Sequence, residues 1–201
     1  MKNLGIEYES KSCTDNKNLA IMCPVCYQLV GTIKQKITTE IFLDKNGREK
    51  IYGHNMIFQI DGYCEYCDEY IEEFVTIDAD IAASISLLNH KGYKTRYCCA
   101  GHENSEGAYI YFKNNRYLKY IGIFPKGWRV DVNDYVYRHD FIIRAKYGKY
   151  NPVELEEWVT GLPILTDDKT KMKYITDKEL MKILLNLGKD QLYFNNGETT
   201  E

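Results

Sequence analysis

Four cysteines constrain this 201-residue chain more than any other feature. They fall in two pairs, "CPVC" at Cys23 and Cys26 and "CEYC" at Cys64 and Cys67. A Cys-x-x-Cys turn aims both sulfurs at one point, and two such turns build a tetrahedral four-sulfur site. Soft thiolates in that geometry favour Zn²⁺. A closed site of this kind has no open position, so it stabilises a fold and does not catalyse. The competing reading is redox. "CPVC" alone could be a dithiol centre if it opened a helix, where thiol pKa values fall. The following "QLVGTI" does not look like a helix start, and a redox pair would leave the second pair without a role.

The doubled pairs resemble a zinc ribbon, in which two knuckles sit on turns joined by antiparallel strands. The resemblance covers about residues 20–70. Family knuckles often carry glycine after the second cysteine; here those positions are Tyr27 and Asp68. The long gap between the pairs is accounted for by an inserted hairpin. "QLVGTIKQKITTEIFL" is rich in β-branched residues, Asn46-Gly47 is a strong turn signal, and "KIYGHNMIFQID" returns as a strand.

The remainder alternates strands with three helices. "YIEEFVTID" reads as a strand, after which Asp78 or Asp80 caps a helix running to about Lys91. Ile81, Ile85 and Leu88 fall on one face of it, and Gly92 suits a left-handed C-terminal cap. "YKTRYC" follows as a strand, so the loop after it occupies a frequent binding position if the two strands are parallel. "GAYIYFK", "RYLKYIGIF", "WRVDV" and "DYVYRHDFIIRAKY" are strand-like, with a turn at Pro125–Gly127. Asn151 with Pro152 starts a second helix, and the Thr176/Glu179 capping box starts a third. The expected fold is α+β: a zinc-ribbon hairpin module packed on a mostly antiparallel sheet. Its divisions are an N-terminal segment (1–20), the module (21–70), an α+β core with a basic aromatic sheet (71–190) and a frayed tail (191–201).

Charge is uneven along the chain. Residues 1–90 carry 8 Lys/Arg against 14 Asp/Glu, residues 91–150 carry 12 against 5, and residues 151–201 carry 6 against 10. The basic middle also holds 14 of the 27 aromatics. That combination suits an anionic, planar ligand; equally, it describes a twisted sheet of tyrosine-rich strands solvated by lysine and arginine. As ligand-binding candidates the segment offers Lys94, Arg96, Tyr97, Gly101, His102, Arg129, Arg138 and Arg144. No apolar run approaches the ~20 residues of a membrane span, and no signal-peptide stretch opens the chain. A reducing, cytoplasmic setting is therefore expected, where paired cysteines mean metal or redox chemistry more often than structural disulfides.

"RYCCAGH", residues 96–102, leaves several readings open. One cysteine can pack in the core while Gly101 permits a tight turn. Alternatively Cys98 or Cys99 is a nucleophile, its pKa lowered by Lys94 and Arg96, with His102 as base. The same residues could also ligate a second metal with Cys13, His90 or His139, or form a reversible disulfide. "LLNHKGYKTRYCCAGH" resembles the helix–turn–strand before the Ser-Cys-Ser-Gly loop of wybutosine-type tRNA methyltransferases. Cys98 and Ala100 stand where that family has serines, and His102 where it has arginine. The resemblance implies a loop able to hold a polar ligand.

Three functions follow as expectations. The first is a zinc-containing binder of a nucleotide or short nucleic acid, without catalysis. The second is an enzyme acting on a nucleotide or RNA base at Cys98, Cys99 and His102. The third is a small adaptor or inhibitor that binds another protein.

Overall fold

The computed structural model describes residues 11–43, 49–54, 60–101, 107–131, 139–146, 148–166 and 174–193. The chain is α+β. Strand β1 (Lys11–Met22) pairs antiparallel with β2 (Leu29–Leu43), and β2 with β3 (Glu49–His54). Residues 11–20, expected as a segment ahead of the module, thus form most of its first strand. The Asn46-Gly47 turn lies outside the described residues. A short hairpin of β4 (Gly62–Cys64) and β5 (Glu69–Ile71) follows. Strand β6 (Val75–Asp78) then returns to pair with the end of β1, completing a four-stranded sheet of order β3-β2-β1-β6.

Helix α1 (Ala79–His90) buries Ile81, Ala82, Ile85 and Leu88, the face expected from their spacing. Gly92 leaves it at φ +93°, a left-handed conformation that costs glycine nothing. A second sheet of order β11-β9-β10-β8-β7 follows from β7 (Thr95–Cys99), β8 (Ala108–Phe112), β9 (Trp128–Asp131), β10 (Phe141–Ala145) and β11 (Leu192–Tyr193). All its described pairings are antiparallel except β9 with β11. Leu192 and Tyr193, assigned from sequence to a frayed tail, close its far edge.

Two expectations change. Strands β6 and β7 flank α1 in sequence but end different sheets, so they are not parallel partners in one sheet. The stretch "RYLKYIGIF" is not a strand. It forms a 3₁₀ turn (Asn115–Tyr117) and helix α2 (Leu118–Ile121). The cause is local: the Asn114 side chain accepts the Arg116 amide at 2.9 Å, and the buried Asn115 side chain accepts the Ile175 amide at 3.1 Å. Leu118 and Ile121, three apart, then bury on one helical face. Helices α3 (Pro152–Gly161) and α4 (Asp177–Leu187) begin at the expected caps: the Asn151 side chain accepts from Val153, and the Thr176/Glu179 box is complete.

One core joins these parts. The inner face of the five-stranded sheet supplies Ile110, Phe112, Val130, Phe141, Ile143 and Ala145. Onto it pack α1, Leu155 and Val159 of α3, and Leu184 of α4. Ala20, Met22 and Ile77 bring the other sheet to the same core. A small separate cluster holds Cys23, Cys64, Ile71 and Phe74. No helix among the described residues is long and apolar enough to cross a membrane.

Candidate metal centre and sheet surface

The first cysteine pair occupies the turn between β1 and β2, and the second the turn between β4 and β5. Both turns close the same way. The Tyr27 amide donates to the Cys23 carbonyl at 2.9 Å, and the Asp68 amide to the Cys64 carbonyl at 2.9 Å. Tyr27 has φ 60° and Asp68 φ 61°, the two non-glycine residues of positive φ among those described. They stand at the positions where glycine is usual. The knuckle geometry is therefore present despite the substitution, at the cost of a left-handed L-residue in each turn.

The four sulfurs converge. Cys23 Sγ lies 3.8 Å from Cys67 Sγ, and Cys26 Sγ lies 3.8 Å from Cys64 Sγ. All four fall within 4.8 Å of one another. A tetrahedron with metal–sulfur bonds of about 2.3 Å has edges of about 3.8 Å, so the donor set fits a four-coordinate metal ion. Burial pushes the Cys67 thiol up to about 12, helped by the neighbouring sulfurs. Burial acts on Cys64 in the same direction, but the Cys67 and Tyr66 amides aimed at its sulfur outweigh it and bring the thiol down to about 7. Four sulfurs this close become thiolates together only with a cation among them. The redox reading loses its basis, because "CPVC" leads into a strand and not a helix.

Different partners hold the two knuckles. Ser86 of α1 donates its hydroxyl to the Tyr27 carbonyl at 2.6 Å. The Lys94 ammonium sits 3.8 Å above the Tyr27 ring, and His90 meets that ring edge-on at 6.0 Å. Lys94 also donates to the Asn89 carbonyl at the end of α1 (3.1 Å). Asp68 instead accepts a hydrogen bond from the Tyr63 hydroxyl.

Register decides how Cys98 and Cys99 point. Cys98 pairs with Ile110, and Ile110 with Ile143, so Cys98 joins the inner face. Burial, with lesser contributions from Asp78 and Cys99, pushes its thiol up to about 12. Cys99 pairs with Tyr109, which pairs with Arg144, which pairs with Arg129. This second row lies on the opposite, outer face, as does the row Tyr97, Tyr111 and Ile142, in which Tyr97 at the edge is exposed, Tyr111 half-buried and Ile142 buried. The turn after Cys99 is fastened on several sides. The Ala100 amide donates to Asp78 at 2.7 Å, the Tyr150 hydroxyl to the Ala100 carbonyl at 3.0 Å, and the Gly101 amide to the Cys99 sulfur at 3.3 Å. Asp78 precedes α1 as expected but makes no side-chain cap to it. Gly101 is buried at φ +88°.

The outer face is aromatic and basic, with built-in counterions. Tyr97 and Tyr111 meet edge-to-face at 6.0 Å. A bulge in β7 isolates Arg96, whose guanidinium lies 5.9 Å from the Tyr111 ring centroid and 3.5 Å from Asp140. Arg144 lies 5.7 Å from the Tyr109 centroid and pairs with Asp131. Arg129 is exposed beside it, with no carboxylate partner among the described residues. Of the eight ligand candidates, Arg96, Tyr97, Arg129 and Arg144 thus belong to β7, β9 and β10 of this sheet. Lys94 is placed at the first knuckle and Gly101 in the turn. His102 and Arg138 lie outside the described residues. Tyr109 and Tyr111 were not singled out from sequence, although in "AYIYF" they alternate with the buried Ala108, Ile110 and Phe112. The cysteine tetrad is the single cluster of metal-ligating side chains among the described residues, and it does not include Cys98, Cys99, His90 or His139.

Comparison with family models, with curated proteins and with solved structures finds no match to this chain, so the resemblance of residues 87–102 to tRNA methyltransferases gains no support.

Proposed function

We propose that the chain is a zinc-stabilised protein that binds a nucleotide or short single-stranded nucleic acid on the outer face of its five-stranded sheet, without catalysis. One observation carries the reading: Tyr97, Tyr109 and Tyr111 share that face with Arg96, Arg129 and Arg144. Tyrosine rings stack on bases, and guanidinium groups pair with phosphate. Asp131 and Asp140 offset part of the charge, which disfavours long duplexes and leaves a surface suited to a few nucleotides. The metal is zinc, because four thiolates at tetrahedral spacing select a soft, four-coordinate ion. Thiolate ligation suits a reducing compartment such as the cytoplasm. Cys98, half-buried against the core and protonated at neutral pH, is a poor nucleophile, which favours binding over an enzyme at this loop.

The test is fluorescence anisotropy of labelled short single-stranded oligonucleotides against the zinc-loaded protein over a salt series. Tyr97→Ala should weaken binding about tenfold, the loss of one stacking platform. Arg129→Ala should lower the salt slope by about one phosphate contact. No binding at low salt would sink the reading.

A further inference from the structure

The second knuckle carries a surface that the metal does not need. In the β4–β5 hairpin, Cys64 and Ile71 face inward to their small cluster. Tyr63 and Tyr70 stand directly opposite one another and face outward. Tyr63 is 58% exposed and Tyr70 63%, and Tyr66 at the tip is 65% exposed. Three large rings are thus left in water within eight residues, where a packed core would have absorbed them. Two of the rings are fixed: the Tyr63 hydroxyl donates to Asp68 and the Tyr70 hydroxyl to Asp61. Fixed rings lose little conformational freedom when a partner arrives.

Charge identifies the partner. Residues 61–73 hold six carboxylates (Asp61, Glu65, Asp68, Glu69, Glu72 and Glu73) and no lysine or arginine. Nucleic acid and anionic lipid would be repelled. These carboxylates form no convergent cation site among the described residues. An open tyrosine face with a carboxylate at its rim is a receptor for a guanidinium or ammonium group, through combined cation–π and charge-assisted contacts.

We infer that this hairpin docks an arginine- or lysine-rich segment of another protein across Tyr63, Tyr66 and Tyr70. The surface is separate from the outer sheet face, so it stands whether or not that face binds nucleotides.

The experiment is fluorescence polarisation of the full-length, zinc-loaded protein with a labelled peptide of alternating arginine and glycine at physiological salt. A glutamate–glycine peptide is the control. The arginine peptide should bind and the control should not. Tyr63→Ala and Tyr70→Ala should each weaken binding about threefold to tenfold, the range of one cation–π contact. Zinc content, measured by metal release, verifies that each variant keeps its knuckle. Glu65→Lys, at the exposed tip, should weaken binding in the same direction without touching either ring. Absence of arginine-peptide binding would overturn the proposal. Unchanged affinity in both tyrosine variants would also overturn it, since attraction to acidic charge alone would then suffice. Concentration-dependent self-association abolished by Glu65→Lys would assign the surface to a second copy of this chain instead.

Discussion

Two cysteine-rich regions look alike on paper and behave in opposite ways. In the knuckles, cysteines three apart sit on turns, and four sulfurs converge to 3.8–4.8 Å. In β7, Cys98 and Cys99 are adjacent on a strand, and register sends one to the core and one to the outer face. Spacing and backbone together decide whether thiols form a site; their number does not. The two knuckles differ in turn. Tyr27 ties the first to α1 through Ser86, His90 and Lys94, whereas the second rests on the small Cys23–Cys64–Ile71–Phe74 cluster.

The largest expected effect tests the first contrast. Cys64→Ser should abolish stoichiometric metal binding and destabilise the protein by on the order of 4 kcal/mol or more, the scale of losing a structural metal. Backbone protection should vanish first in β4 and β5, because a two-stranded hairpin of three-residue strands is not stable without it. Cys98→Ser should keep the metal and cost about 1–3 kcal/mol for setting a hydroxyl against the core. Metal analysis and hydrogen exchange of the two variants check this. Metal loss from Cys98→Ser would erase the distinction between the regions.

Much of this was legible in the sequence, for identifiable reasons. The metal centre follows from i,i+3 pairs, which need no knowledge of tertiary structure. The starts of α3 and α4 follow from local chemistry at Asn151 and at Thr176/Glu179. Strand β1 escaped notice because "KSCTDNKNLAIM" is polar until Leu19, and pairing to β2 holds it in the sheet. Helix α2 is not legible in the sequence because Tyr117, Tyr120 and Ile121 favour strands, while the deciding bonds of Asn114 and Asn115 include one to Ile175, 60 residues away. The outer face could be only half seen: lysine and arginine clustering showed that a basic surface exists, but register alone distributes Tyr109, Tyr111, Arg129 and Arg144 over one side. The ion pairs Arg144–Asp131 and Arg96–Asp140 then supply internal counterions that no sequence pattern announces.

A middle-sized effect separates the knuckles. Tyr27→Gly relieves a left-handed L-residue, worth about 1–2 kcal/mol, but removes the ring beneath Lys94 and beside His90. Loss of that packing should prevail, for a net destabilisation of about 1–2 kcal/mol. Tyr27→Ala should cost more, since it keeps the backbone strain and loses the ring. Asp68→Gly gains the same relief and gives up one exposed hydrogen bond to Tyr63. It should be neutral or slightly stabilising, within about 1 kcal/mol. Thermal unfolding of the three metal-loaded variants reads the signs. Equal destabilisation by both glycine changes would mean that the knuckles are held alike.

The effect that is smallest at neutral pH divides the adjacent pair in β7 and emerges only in alkali. An unfolded Cys98 loses its proton near 9.0, whereas burial in the fold holds that proton to about 12. Between those values the unfolded chain binds fewer protons than the folded one, so stability falls as pH rises; a full unit or more below 9.0 this group contributes almost no slope. One proton limits the slope to about 1.4 kcal/mol per pH unit. Half a unit above 9.0 the loss stays under about 1 kcal/mol. Tyr93, whose buried hydroxyl is pushed up to about 12, adds a similar decline above its ordinary value of 10.0. Cys98→Ala should flatten the first part of this limb and leave the Tyr93 part. Cys99→Ser should leave the Cys98 part of the limb in place, moved only slightly because Cys99 is a lesser contributor to it, and alter neutral-pH stability by less than about 0.5 kcal/mol, because a serine oxygen can still accept the Gly101 amide. Denaturant unfolding from pH 7 to 10.5 compares the variants. A slope that follows Cys99 in place of Cys98 would reverse the facing of the pair and move the sulfur of Cys98 onto the proposed ligand surface.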